Sequence, residues 1–220
     1  MGKSRLVAET IRRALMRRCD VYVGECQSYG AHTSYLVWQS ILRAFFGLEG
    51  ADSLEATLRL LEARLMAIDP AFVPRLPLLG MALNLPIPDN DLTRSLDAKL
   101  RKASLEALLV DCLRTRARAT PLLLVLEDCH WLDPLSHDLL EAIGRVVATL
   151  PVLMVIAYRP PELEHLQAPR VVSMTHCTVI HLSDLTADEA EQLIALKLSA
   201  LGVGDVAPPA GLVERIVERA

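Results

Sequence analysis

Five consecutive aliphatic residues, Leu122-Leu123-Leu124-Val125-Leu126, run straight into two adjacent carboxylates, Glu127 and Asp128. A strand with water on one face alternates apolar and polar residues. An unbroken apolar run of this length suits a strand buried on both faces, as in a parallel sheet covered by helices on each side. Two carboxylates at the exit of such a strand are costly unless something there uses them. The block therefore constrains the fold and the place to look for chemistry.

The rest of the chain supplies the helices and further strands. Lys3–Arg18 reads as a helix with the apolar stripe Leu6, Val7, Ile11, Ala14 and Leu15. Val21–Glu25 reads as a short strand, and Ser28-Tyr29-Gly30 as a loop. Tyr35–Phe46 is apolar at helical spacing and stops at Gly47. Ser53–Ile68 is a helix with Ser53 as N-cap and Asp69-Pro70 as its end. Pro70–Asp91, with five prolines, reads as an irregular connection, and Leu92–Arg118 as one long helix. Pro134–Thr149 is helical. Pro151–Tyr158 and Thr178–Leu182 are the second and third buried-strand candidates. Thr186–Leu201 opens with the capping-box pair Thr186 and Glu189, and Leu212–Arg219 begins a last helix. Strands alternating with helices predict an α/β fold with a mostly parallel sheet.

Composition excludes several classes. The chain has 220 residues and a net charge of −4, which argues against nonspecific nucleic-acid binding. Arg12, Arg13, Arg17 and Arg18 accordingly read as a solvated helix face. The apolar runs are far shorter than the ~20 residues of a membrane span, and no signal-peptide core is present. Five scattered cysteines without a CxxC pair read as reduced thiols in a cytoplasm. Cys129 with His130, and Cys177 with His176, lack the spacing of a zinc site. Ser136, His137 and Asp133 include triad residue types, but without the G-x-S-x-G elbow of a hydrolase.

Parallel sheets bind ligands outside the carboxyl ends of their strands. Three features fall there. Gly2-Lys3-Ser4, at the start of the first helix, matches the last three residues of the phosphate-binding loop GxxxxGK[ST]. Helix N–H groups and the dipole favour phosphate, Lys3 would reach the β- and γ-phosphates, and the Ser4 hydroxyl would bind Mg²⁺. The bland alternative is a merely charged N-terminus. Glu127 and Asp128 would hold Mg²⁺ and orient an attacking water; the alternative is that they cap the helix at Pro134. Arg159, leaving the strand candidate that ends at Tyr158, would read a γ-phosphate; the alternative is a surface arginine in the Arg159-Pro160-Pro161 turn.

Together, Met1–Val7, Pro121–Pro134 (PLLLVLEDCHWLDP) and Leu150–Pro160 (LPVLMVIAYRP) resemble a P-loop ATPase of the STAND class, close to the AAA-type modules of bacterial multidomain regulators. Weaker support comes from Gly24–Gly30, Thr33-Ser34-Tyr35 and His181–Leu185. Modules of this kind accompany class III adenylate/guanylate cyclase domains, LuxR-type DNA-binding domains or protein kinase domains. The resemblance implies a three-layer P-loop core over residues 1–184 and the start of a helical lid over 185–220. It implies ATP and Mg²⁺ as ligands. Gly2, Lys3 and Ser4 match the end of Walker A, Glu127 and Asp128 match Walker B and the catalytic acid, and Arg159 matches the sensor arginine. The family's usual order is Asp then Glu; here it is reversed, so the two acidic roles stay interchangeable.

The resemblance also implies that the first strand and early Walker A precede position 1, and that a turn and winged helix follow the last helix. The segment then reads as part of a longer signalling protein, expected to bind nucleotide weakly on its own. The expected function is a slowly hydrolysing ATP switch in the cytoplasm. Its expected partner is an effector domain or protein, with a nucleotide-dependent oligomer and without a membrane or direct nucleic-acid contact. The alternative is a non-catalytic scaffold fragment that keeps the fold.

Overall fold

A computed structural model describes residues 2–28, 33–159, 169–183, 186–200 and 211. It divides into two compact units, one of Ser4–Thr178 and a smaller one of Met1–Lys3 with Val179–Ala220.

The larger unit is built on three parallel strands, β1 (Asp20–Glu25), β2 (Leu122–Glu127) and β3 (Val152–Ile156), in the order β1-β2-β3. Asp20 pairs with Leu122 and Glu25 with Glu127, so both strands end level in acidic residues. On the other side Leu122 pairs with Val152 and Leu126 with Ile156. The aliphatic run of β2 is therefore central and buried, as its lack of alternation requires. Its side chains alternate between two cores. Leu123 and Val125 pack against Val7 of α1 (Lys3–Met16). Leu122, Leu124 and Leu126 face the larger core, shared with α2 (Leu36–Phe45), α3 (Leu54–Ile68), α6 (Ala98–Ala119) and α7 (Pro134–Val147).

The helix boundaries follow local chemistry. Arg18, at φ 58°, ends the turn after α1. Of the apolar stripe expected on α1, Val7 is buried against Leu123 and Val125, whereas Leu6 and Leu15 stay exposed. Ser53 caps α3 by accepting the Ala56 N–H at 3.1 Å. The proline-rich connection is not irregular throughout. Pro70–Leu78 is a 3-10 helix and Leu79–Leu83 forms α4, because Asp69 caps the first turn and proline's fixed φ is tolerated there. The long helix expected over Leu92–Arg118 is two. A short α5 (Asp91–Arg94) is closed by a capping box between Asn90 and Thr93, and α6 restarts on Asp97, whose carboxylate accepts the Leu100 N–H. Two side-chain caps seven residues apart, Asn90 and Asp97, outweigh a continuous apolar period. Arg101 ties the break together through two bonds to Asp89, at 2.8 and 2.9 Å.

One strand candidate is overturned. Thr178–Leu182 forms no strand, and Ile180 is 69% exposed. A strand needs a neighbour's backbone groups, and among the described residues no ladder reaches this segment. In the smaller unit, α8 (Ala187–Ala200) begins with the expected box: Glu189 accepts the Thr186 N–H at 2.8 Å, and Thr186 Oγ1 accepts the Glu189 N–H at 3.3 Å. The readings at Tyr29-Gly30, Pro160-Pro161, Asp184-Leu185 and Leu212–Arg219 lie outside the described residues.

Candidate functional site

The carboxyl rim of the sheet collects the acidic groups by register. Glu25 and Glu127 are paired neighbours, and the Cys26 N–H donates to the Glu127 carbonyl at 2.9 Å, so the two chains leave the sheet side by side. Beyond β2 the backbone turns sharply: Asp128 sits at φ 52°, a left-handed conformation that aspartate tolerates better than most residues. A 3-10 turn over Cys129–Trp131 follows, anchored by the Cys129 N–H donating to Ala157 at 2.9 Å.

The Ser4 hydroxyl, in the first turn of α1, lies beside the Glu127 carboxylate and lowers its proton affinity. That proximity brings Ser4 to the end of β2, where two of the three features read from the sequence meet. Glu127 is half-buried, and its proton affinity is raised above the ordinary carboxylate value. Desolvation is the largest cause, followed by the charges of Asp128 and Glu25, while Ser4 opposes the shift. Burial at the strand exit thus raises the carboxyl, and the neighbouring acids add to it. Gly2, exposed at φ +100°, and Lys3, the first residue of α1, group with the smaller unit. Arg159 is exposed, two residues past Ala157, whose N–H donates to Leu126 at 2.9 Å; its backbone thus leaves β3 on the same rim as Glu127.

Capping of the helix at Pro134 is not the task of Glu127 or Asp128. Asp128 makes no capping bond. Asp133 does the capping: its Oδ1 accepts the Leu135 and Ser136 N–H groups at 3.1 and 3.0 Å. Its Oδ2 accepts the Tyr35 N–H at 3.2 Å. Tyr35 is fully buried at φ 60°, and burial, with the charges of Glu106, Asp133 and Asp138, pushes its phenol up to about 12. Beside it the Trp38 Nε1–H donates to the Ser136 carbonyl at 3.3 Å. One carboxylate thus fixes both the loop after β2 and the strained entry to α2. Asp133→Ala is expected to destabilise the protein by about 3 kcal/mol, from a lost cap and a buried unpaired N–H. Chemical denaturation of both proteins measures it, with Asp133→Asn falling between.

Three contributors were missed by sequence reasoning. Glu25 had a signal, since like Glu127 it ends a strand. Asp133 had one too, being the Asp directly before Pro134. The third, a contact between the buried thiols Cys26 and Cys129, depends on strand pairing and had none. That contact and burial push the Cys129 thiol well above its usual value, which leaves it protonated and unreactive.

The donor set at the rim, one hydroxyl and two adjacent carboxylates, is all oxygen. It suits a magnesium ion that keeps waters and phosphate oxygens as its remaining ligands. Among the described residues no cluster of three or more His, Cys, Asp or Glu could enclose a metal by itself. A cavity of about 430 Å³ opens between α2 and α4, lined by Thr33, Ser34, Gln39, Met81, Asn84 and Leu85. None of the candidate site residues lines it. No helix among the described residues is long and apolar enough to cross a membrane.

The chain is 30% identical over 199 residues to an uncharacterized protein of Rhizobium meliloti (strain 1021). The match covers 90% of this chain but only 18% of that relative, so the chain spans under a fifth of its length. No solved structure matches. Residues 1–156 match the family model described as the AAA ATPase domain. With the parallel α/β core and the shared rim of Ser4, Glu127 and Asp128, this match shows that the chain belongs to the AAA ATPase domain family.

Proposed function

We propose that this chain binds ATP with Mg²⁺ at the carboxyl rim and hydrolyses it slowly, as a cytoplasmic STAND-type switch module of a longer signalling protein. The observation that supports the reading is the proximity of the Ser4 hydroxyl to the Glu127 carboxylate. A helix-start hydroxyl beside an acidic strand exit is the pairing that metal-assisted phosphoryl transfer uses.

In this reading Gly2 lets the backbone approach the phosphates, and Lys3 neutralises the β- and γ-oxygens. Ser4 and one of Glu127 and Asp128 hold the metal, and the other acid orients water for in-line attack. When bound, Mg²⁺ neutralises charge on the phosphates and fixes their geometry. Arg159 steadies the γ-phosphate through its planar fork. The bound nucleotide would bias an effector domain or partner protein, of the cyclase-associated or transcriptional kind. The compartments proposed are an ATPase core over residues 1–184 and the start of a lid over 185–220.

Calorimetric titration of ATP into the 220-residue chain, with and without Mg²⁺, tests this. The wild type is expected to bind more tightly with Mg²⁺, and Ser4→Ala to lose that gain. Lys3→Ala is expected to weaken binding at least about tenfold, a loss typical of one charge-assisted phosphate contact. A Mg²⁺ gain that survives in Ser4→Ala, or ATP affinity indifferent to Lys3, would favour the scaffold reading instead.

A further inference from the structure

The proposed ATP site leaves the cavity between α2 and α4 unused. Its volume of about 430 Å³ falls in the roughly 300–1,000 Å³ range of small-molecule sites. The two elements line it differently. Thr33, Ser34 and Gln39, from α2 and the turn before it, supply two hydroxyls and an amide. α4 and the turn after it bring Met81, Asn84 and Leu85: a thioether, a second amide and an aliphatic chain. Among the described residues no Lys, Arg, Asp or Glu lines the cavity. None of the four polar side chains hydrogen-bonds to another described residue, so all four are open to a ligand.

The backbone on both sides is fixed in advance. Asn84 sits at φ 52°, as the left-handed C-cap of α4. The Gly80 carbonyl accepts both the Asn84 N–H and, at 2.8 Å, the Leu85 N–H. A Cβ on Gly80 would lie 2.9 Å from the Leu85 carbonyl oxygen, so this turn closes tightly only over glycine. On the other side, Ser34 leads into Tyr35 at φ 60°, whose N–H donates to Asp133 at 3.2 Å. The Gln39 N–H donates to the Tyr35 carbonyl at 3.0 Å. Non-glycine residues held at positive φ on both sides of one cavity are a mark of ligand clamps.

The lining defines the ligand. With no charged side chain on the walls, a phosphate or carboxylate would go unpaired, so the ligand is uncharged. Side-chain amides pair in bidentate fashion with the edge of adenine. A methionine thioether makes favourable contacts with aromatic rings. We infer that the cavity is a binding site for an uncharged purine base or nucleoside, its edge read by Gln39 and Asn84 and its ring packed on Met81. Thr33 and Ser34 take the remaining polar groups. None of the residues assigned to ATP lines the cavity, and the inference does not rest on that reading. Through Ser34 and Tyr35 the site adjoins the Asp133 contact that fixes the loop after β2, so occupancy bears on that loop.

Calorimetric titration of adenosine into the 220-residue chain tests it. The wild type is expected to bind with a Kd below about 1 mM. Gln39→Met keeps the length of the side chain, and Asn84→Gly suits the left-handed φ. Gln39 is half-buried and Asn84 exposed, so both variants are expected to keep the wild-type melting temperature. Each is expected to weaken adenosine binding at least about tenfold, through one lost amide contact. AMP is expected to bind no more tightly than adenosine, because no cation on the walls meets its phosphate. Gln39→Met is expected to keep the wild-type affinity for ATP with Mg²⁺. The absence of saturable adenosine binding at millimolar concentrations overturns the inference. So does wild-type adenosine affinity in either variant, or AMP binding about tenfold tighter than adenosine. A parallel loss of ATP affinity in Gln39→Met overturns it too, by making the cavity the base pocket of the ATP site.

Discussion

Glu127→Gln is expected to lower ATP turnover by about a hundredfold or more, while making the metal-free protein more stable at neutral pH. The first effect follows from the proposed role, because an amide cannot supply the charge that holds the metal or orients water. The second follows from the partial burial of the Glu127 carboxyl, with the charges of Asp128 and Glu25 adding to it. Its carboxyl holds a proton more tightly folded than unfolded. The group therefore favours the folded state fully below its unfolded pKa, and loses that contribution as pH rises through the higher folded value. Above that value the ionised wild type carries a penalty that the amide lacks. Melting curves of the two proteins should coincide in acid and separate towards neutral pH, with the variant higher. Phosphate release measured alongside completes the test. A variant with wild-type turnover removes Glu127 from the reaction, and a variant less stable at neutral pH refutes that penalty.

Gly24→Val is expected to cost about 3 kcal/mol or more, in the range of severe overpacking. A Cβ at this position would run into the Val37 carbonyl oxygen, and would lie 2.9 Å from the Ile41 Cδ1. The obstacle is backbone on one side, so rotamer changes cannot relieve it. α2 packs against β1 here, and a side chain would force the helix away from the strand. Because Tyr35 leads into α2 and is held by Asp133, the loop after β2 is expected to loosen with it. Denaturant midpoints, with hydrogen exchange at Leu36–Phe45, measure both consequences. Wild-type protection in α2 of the variant would count against the coupling.

Much of the fold was legible where one physical requirement dominates. The β2 run suited a strand buried on both faces, and it is the central strand of the sheet. Ser53, and Thr186 with Glu189, announced their helix starts because an N-cap satisfies orphan N–H groups by short-range geometry. Short-range competition was harder to read. The break between α5 and α6 depends on Asn90 and Asp97 winning against an apolar period that continues across them. Thr178–Leu182 carried the composition of a strand, but composition supplies no ladder partner.

The site divides along the same line. By itself the sequence singled out the candidate groups: a Gly-Lys-Ser helix start and two carboxylates at the exit of an apolar run, since residue type and local spacing specify donors and charge. Only the tertiary structure decided which of them meet. Parallel register set Glu25 beside Glu127, the packing of α1 on the sheet brought the Ser4 hydroxyl beside the Glu127 carboxylate, and the loop after β2 set Asp133 against the Tyr35 N–H. Those contacts join residues about a hundred positions apart, and distances of that kind are set by how strands pair and helices pack, which no local pattern encodes.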